Sequence, residues 1–222
     1  MADPFILQAG VTEPAYSAPG GSTSVSMNYF GALKVDSVLG RYSTLAAKGV
    51  LYVASAGVVA NAVACVADVA TTAAQWALYN GNATGQGGYH LHILGVSAWQ
   101  ASGTPAVNAS IMVGLSGAAQ AAALTANTGS VVKGCTGSTS RASSAVLAAS
   151  ATLTSAAAWM NLGGNNQSAT AGVGSAFPFI DLGGAFVVPP TWVFGVNILS
   201  GVGTSAKYGV SILYAEIPTY LS

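Results

Sequence analysis

Two histidines separated by one residue, His90 and His92, are the residue types here best suited to chemistry. On an extended strand, alternation puts both imidazoles on one face, and imidazole is the commonest transition-metal ligand. A metal also needs further ligands, and no Asp, Glu or Cys lies near them in sequence; copies around a three-fold axis would have to supply the rest. The competing reading, two histidines on the polar side of a sheet facing solvent or an interface, asks for nothing more and is preferred. No metal is therefore expected. Gly201-Val202-Gly203-Thr204-Ser205-Ala206 fits a relaxed dinucleotide fingerprint, which works only where a strand leads into a helix whose N-terminus holds pyrophosphate. The residues after Ala206 alternate like a strand, so the segment reads as a hairpin loop and no cofactor is expected.

Acid and base work would have to come from Asp3, Glu13, Asp36, Asp68, Asp181 and Glu216. Asp181 and Glu216 are candidate spatial neighbours, against the plainer reading of a turn residue and a surface charge. Neither a Gly-x-Ser-x-Gly elbow nor a Cys-x-x-Cys pair occurs. Cys65, among Ala and Val, looks like a small core residue; Cys135, between Gly134 and Thr136, looks like a loop residue. Two thiols are expected rather than a disulfide. The reading is a protein that is not an enzyme.

The elements around these residues read as strands. The clearest stretch is Gly183 to Ile217. Trp192, Phe194, Val196 and Ile198 alternate with Thr191, Gly195 and Asn197; Tyr208, Val210, Ile212 and Tyr214 alternate with Gly209, Ser211 and Ala215. These predict two paired strands joined as a hairpin through Ser200 to Ala206. Pro189-Pro190 lacks backbone donors, so the kink belongs at a sheet edge or between two sheets. Strands are also expected at Val25 to Leu33, Val50 to Ala54, Val58 to Val66, Ala73 to Tyr79, Tyr89 to Trp99, Val107 to Leu115 and within Ala145 to Leu162. In the Tyr89 strand, Tyr89, Leu91, Ile93 and Trp99 share a phase opposite the histidines. Ser116 to Ala126 reads as a short helix on alanine propensity, and Gly129 to Ser144 as a loop.

Together these give an all-β fold, an antiparallel sandwich of roughly eight to ten strands. The expected organisation is an extended, proline-broken arm over residues 1–24 and a single domain over 25–222. The arm carries Phe5, Ile6, Leu7 and Tyr16, apolar residues that need a surface to lie on and are the expected partner-binding residues.

Only six cations and six anions occur, and Asp68 is the sole charge between Gly49 and Val132. Soluble domains carry about a quarter charged residues, so this surface is either covered or made soluble by hydroxyls and amides. Nucleic acid is excluded as a partner, because binding a phosphate backbone needs clustered cations and Lys34, Arg41, Lys48, Lys133, Arg141 and Lys207 are scattered. Gly49 to Ala67 is apolar enough to flag as a membrane span, but two strands explain the same letters, and no membrane is expected. Met1 to Ile6 has neither the basic region nor the apolar run of a signal peptide, which points to synthesis in a cytoplasm.

An apolar N-terminal arm, few charges, Gly/Ser/Thr/Asn loops and Phe186-Val187-Val188-Pro189-Pro190-Thr191-Trp192 before two last strands resemble virion structural proteins of the jelly-roll kind. In style they are most similar to the decoration, or cement, proteins of tailed-bacteriophage heads. The resemblance implies a homotrimer on the capsid surface, with the major capsid protein as partner. The runner-up is a tail-associated or receptor-binding knob recognising a host glycan, whose mark would be Trp76, Trp99 or Tyr79 exposed beside the Gly81 to Gly88 loop. A cupin-like enzyme on His90 and His92, and a membrane pore, come behind it.

Overall fold

The computed structural model describes residues 42–57, 59–85, 87–103, 108–136, 141–165, 176–200 and 205–219. The arm residues Phe5, Ile6, Leu7 and Tyr16, the strand expected at Val25 to Leu33 and the Gly201-Val202-Gly203-Thr204 segment lie outside them. Among the described residues the chain is an antiparallel all-β sandwich of eleven strands. In chain order these are β1 (Leu51–Ser55), β2 (Val63–Ala64), β3 (Ala73–Asn80), β4 (Tyr89–Ser102), β5 (Ala109–Leu115), β6 (Val131–Gly134), β7 (Ala145–Thr152), β8 (Ala158–Asn165), β9 (Ala176–Val188), β10 (Val193–Leu199) and β11 (Lys207–Pro218). One short helix, α1 (Ser43–Ala47), precedes β1.

Sheet I runs β6-β1-β11-β4-β9, with β2 against the start of β11; sheet II runs β7-β3-β10-β5-β8. Four pairings are nested in sequence. The outermost joins β1 to β11 (Leu51 opposite Ala215), and inside it β3 joins β10 (Leu78 opposite Phe194). Inside those, β4 joins β9 (Ile93 opposite Phe186) and β5 joins β8 (Val113 opposite Met160). The β11–β4 and β10–β5 ladders then close each sheet.

The hairpin expected between the last two strands does not form. β10 lies in sheet II and β11 in sheet I, because each finds its best apolar neighbours on a strand far away in sequence rather than on its successor. Pro189-Pro190 falls where the chain leaves β9 in sheet I for β10 in sheet II, where absent donors cost nothing. The helix expected at Ser116 to Ala126 is also absent. A turn or two of alanine helix is marginal in water, and this segment instead spends its backbone groups on the outside of sheet II, Gln120 N–H bonding Thr191 C=O at 2.9 Å and Ala121 N–H bonding Thr154 Oγ1 at 2.9 Å. Gly129 to Ser144, expected as a loop, contains β6, and the strand expected at Val58 to Val66 shrinks to a 3-10 turn, Val59–Asn61, and the two-residue β2.

Between the sheets lies the main core: Trp76, Leu78, Leu91, Ile93, Ile111, Val113, Phe194, Val196, Tyr208, Val210, Ile212 and Tyr214 are all fully buried. Trp76 Nε1–H donates to the Tyr208 carbonyl of the opposite sheet at 3.1 Å, and the Phe186 and Phe194 rings meet edge-on at 5.3 Å. A second cluster, with Ala77, Tyr79, Ala148, Leu153, Ala157 and Val193, covers the outer face of sheet II. β10 is thus buried on both faces, not half-buried as its alternation suggests.

Asn80 fastens the two sheets at one end. Fully buried, it donates through Nδ2 to the carbonyls of Tyr89 (2.8 Å) and Val188 (2.9 Å), while its Oδ1 accepts from Asn82 N–H (3.1 Å) and Asn82 Nδ2 (2.9 Å). Two donors and two lone pairs are the whole capacity of an amide side chain. All four are used.

Candidate functional site

His90 and His92 lie two apart on β4 and share the outer face of sheet I, as alternation requires. His92 is opposite Ala215 of β11 and Val187 of β9, and His90 is opposite Ile217. The His92 Nε2 is buried without a hydrogen-bond partner, and burial, aided by His90, pushes the His92 imidazole below its ordinary range. Among the described residues no three of His, Cys, Asp and Glu come together, so the pair gains no third ligand there.

Trp99 also lies on this outer face, not in phase with Leu91 and Ile93 as alternation predicted. An irregularity at Leu94, between Ile93 and Gly95, shifts the register and reverses which side chains point inward. The Trp99 ring settles over Gly209, where a Cβ would stand 2.3 Å from Trp99 Cζ2, and the Phe179 ring likewise lies over Gly95. Trp76 and Tyr79 are buried, so none of the three aromatics proposed as a glycan platform stands fully exposed.

The principal polar constellation was not visible in sequence. At one end of sheet I, the buried Glu216 of β11 pairs with Arg141, which comes from the segment leading into β7. Ser143 donates to Glu216 Oε1, and its oxygen accepts from Ala145 N–H at 3.0 Å. Because the Ser143 proton is committed to the carboxylate, the 2.7 Å contact with Tyr214 must have the phenol as donor. The Arg141 guanidinium lies 4.0 Å above the Tyr89 ring, its carbonyl accepts from the Tyr52 hydroxyl at 2.8 Å, and Tyr52 stacks on Tyr214 with centroids 5.6 Å apart. Burial pushes the Tyr214 phenol far above its ordinary range, and burial also raises Tyr52.

The carboxylate is neutralised by Arg141, the serine proton is already donated, and the phenols are held protonated. One signal could have found this arrangement: Glu216 shares the inward phase of Tyr208, Val210, Ile212 and Tyr214, and an acid in a core phase demands a cationic partner.

The remaining candidates are apart. Asp181 of β9 is exposed, opposite Gly95, and its Oδ1 accepts from Gly183 N–H at 2.8 Å; β4 separates it from Glu216, which faces inward, so the two carboxylates form no pair. Asp68 is exposed. No disulfide joins Cys65, which is buried, to Cys135, which is exposed, and burial raises both thiols. The fingerprint ending at Ala206 is succeeded by strand β11 and not by a helix. Among the described residues no helix is long and apolar enough to cross a membrane. No protein-family model matches the chain, and no curated protein was found to be similar to it.

Proposed function

We propose that the chain is a virion structural subunit of jelly-roll type, a decoration or cement protein that seats on a bacteriophage capsid as a homotrimer and braces neighbouring copies of the major capsid protein. The observation that carries this reading is the nested pairing of β1 with β11, β3 with β10, β4 with β9 and β5 with β8. A long hairpin rolled into two facing sheets gives that order, and it is the order expected of two Greek keys in a jelly roll. The same architecture serves lectins and cupins. Against a cupin, no set of three metal-ligating residues comes together among the described residues; against a glycan platform, Trp76 and Tyr79 are buried. The near absence of charge over long stretches supports assembly, since faces without charge can be covered by a copy or a partner with little desolvation cost.

Light scattering on the purified chain tests the trimer: the expected mass is 3 × 21.8, or 65.4 kDa. Co-sedimentation with purified capsid shells tests the seat. A monomer at micromolar concentration that also fails to pellet with shells refutes the proposal.

A further inference from the structure

The outer face of sheet I holds one titratable group in a setting made for its neutral form. His92 stands in the middle of a row that crosses four strands, Leu51 of β1, Ala215 of β11, His92 of β4 and Val187 of β9. Leu51 and Ala215 are buried. From β11 its neighbours are Ala215 and Ile217, and from β9 it is Val187, so neither strand brings an acid or a base into register with it. From its own strand it is faced by His90, which would carry like charge once protonated. Glu216 comes directly after Ala215 but points to the opposite side, where Arg141 neutralises it.

We propose that His92, with His90 beside it, is an acid-sensitive element of the fold: protonation places a charge and an unmatched N–H donor in an apolar row, and loosens edge strand β9 from β4. The physical reason is the orphaned Nε2. A neutral imidazole can leave that nitrogen as an unused acceptor at modest cost, whereas an imidazolium must present it as a buried donor with no oxygen to receive it. β9 responds first because, among the described residues, it is paired on one side only, with Val187 in register with His92. This inference does not depend on the virion reading.

Linkage sets the sign. Burial depresses the folded imidazole below its unfolded value. The unfolded chain therefore binds the proton first as pH falls, and stability drops as pH passes below the unfolded range near 6.5. One such group changes the unfolding constant by at most tenfold per pH unit.

The experiment is an imidazole NMR titration of the intact chain, paired with urea unfolding at pH 7 and pH 5. His92 is expected to titrate below the ordinary imidazole range, with amide exchange in β9 accelerating on acidification. His92→Leu is expected to flatten the stability change between the two pH values, and His90→Gln to retain most of it. Should His92→Leu fail to fold, His92→Gln carries the same comparison, and the titration needs no variant. A His92 that titrates at or above the ordinary imidazole value, or a His92 variant that keeps the full pH response, overturns the proposal.

Discussion

Replacing Asn80 offers the sharpest test of how the two sheets are held together. Its four hydrogen bonds end on groups near the ends of three different strands, and the residue has no solvent exposure. Asn80→Ala strands two carbonyls, at Tyr89 and Val188, and two Asn82 donors. Each buried group left unsatisfied costs about 1 to 3 kcal/mol. Asn82 can re-aim its side-chain donor, so three groups remain unsatisfied and the loss sums to about 3 to 9 kcal/mol, a fall in Tm on the order of 10 °C or more for a chain of this length. Asn80→Asp tests the donor assignment. At neutral pH a carboxylate would face the two carbonyl oxygens that Nδ2 now serves, so it should cost at least as much as alanine. Acidification returns one O–H donor, so part of that loss should be recovered at low pH. The assay is urea unfolding at fixed protein concentration, because self-association would otherwise contribute to the midpoint. A loss under about 1 kcal/mol for Asn80→Ala, with Asn80→Asp indifferent to pH, refutes the argument that this amide joins the sheets.

Arg141→Leu should cost about 3 to 5 kcal/mol, since it leaves the buried Glu216 carboxylate uncompensated, whereas Glu216→Gln should cost less, because the Arg141 it strands is 42% exposed and can be solvated. The double variant should cost less than the sum of the two, a coupling that a double-mutant cycle in urea measures directly. Gly209→Ala should cost about 1 to 3 kcal/mol, because its Cβ would occupy space held by the Trp99 ring. That penalty should largely vanish in a Trp99→Ala background, and a penalty unchanged there would mean that another contact sets it.

How much of this the chain disclosed in advance depended on range. Alternation is a local signal, and it located β5 and β11 with their inward residues, Ile111, Val113, Tyr208, Val210 and Ile212, correctly assigned. It also placed His90 and His92 on a common face. Partner choice is not local: nothing in Val193 to Leu199 states that it should pair with Ala73 to Asn80 rather than with its successor strand. Phase fails wherever the backbone slips by one residue, which is why simple alternation puts Trp99 on the wrong side of β4. Composition misled at Ser116 to Ala126, where alanine favours helix in isolation but backbone bonds to Thr191 and Thr154 offered more. The Arg141–Glu216 pair joins positions 75 residues apart. Of it, only the acid's inward phase could be read beforehand.

The position of β10 and β11 constrains how the molecule can be made. β11 is the centre of sheet I and β10 the centre of sheet II, so the middle of both layers is supplied by the last of these strands to leave a ribosome. Until they emerge, β1, β3, β4 and β5 have no partners for their inner edges, and the nascent chain must wait with its aliphatic faces uncovered. Such a protein acquires its shape late and all at once, after closing some of the longest loops its length permits. Removing β11 alone would leave one layer split in two, and removing β10 with it would divide the other.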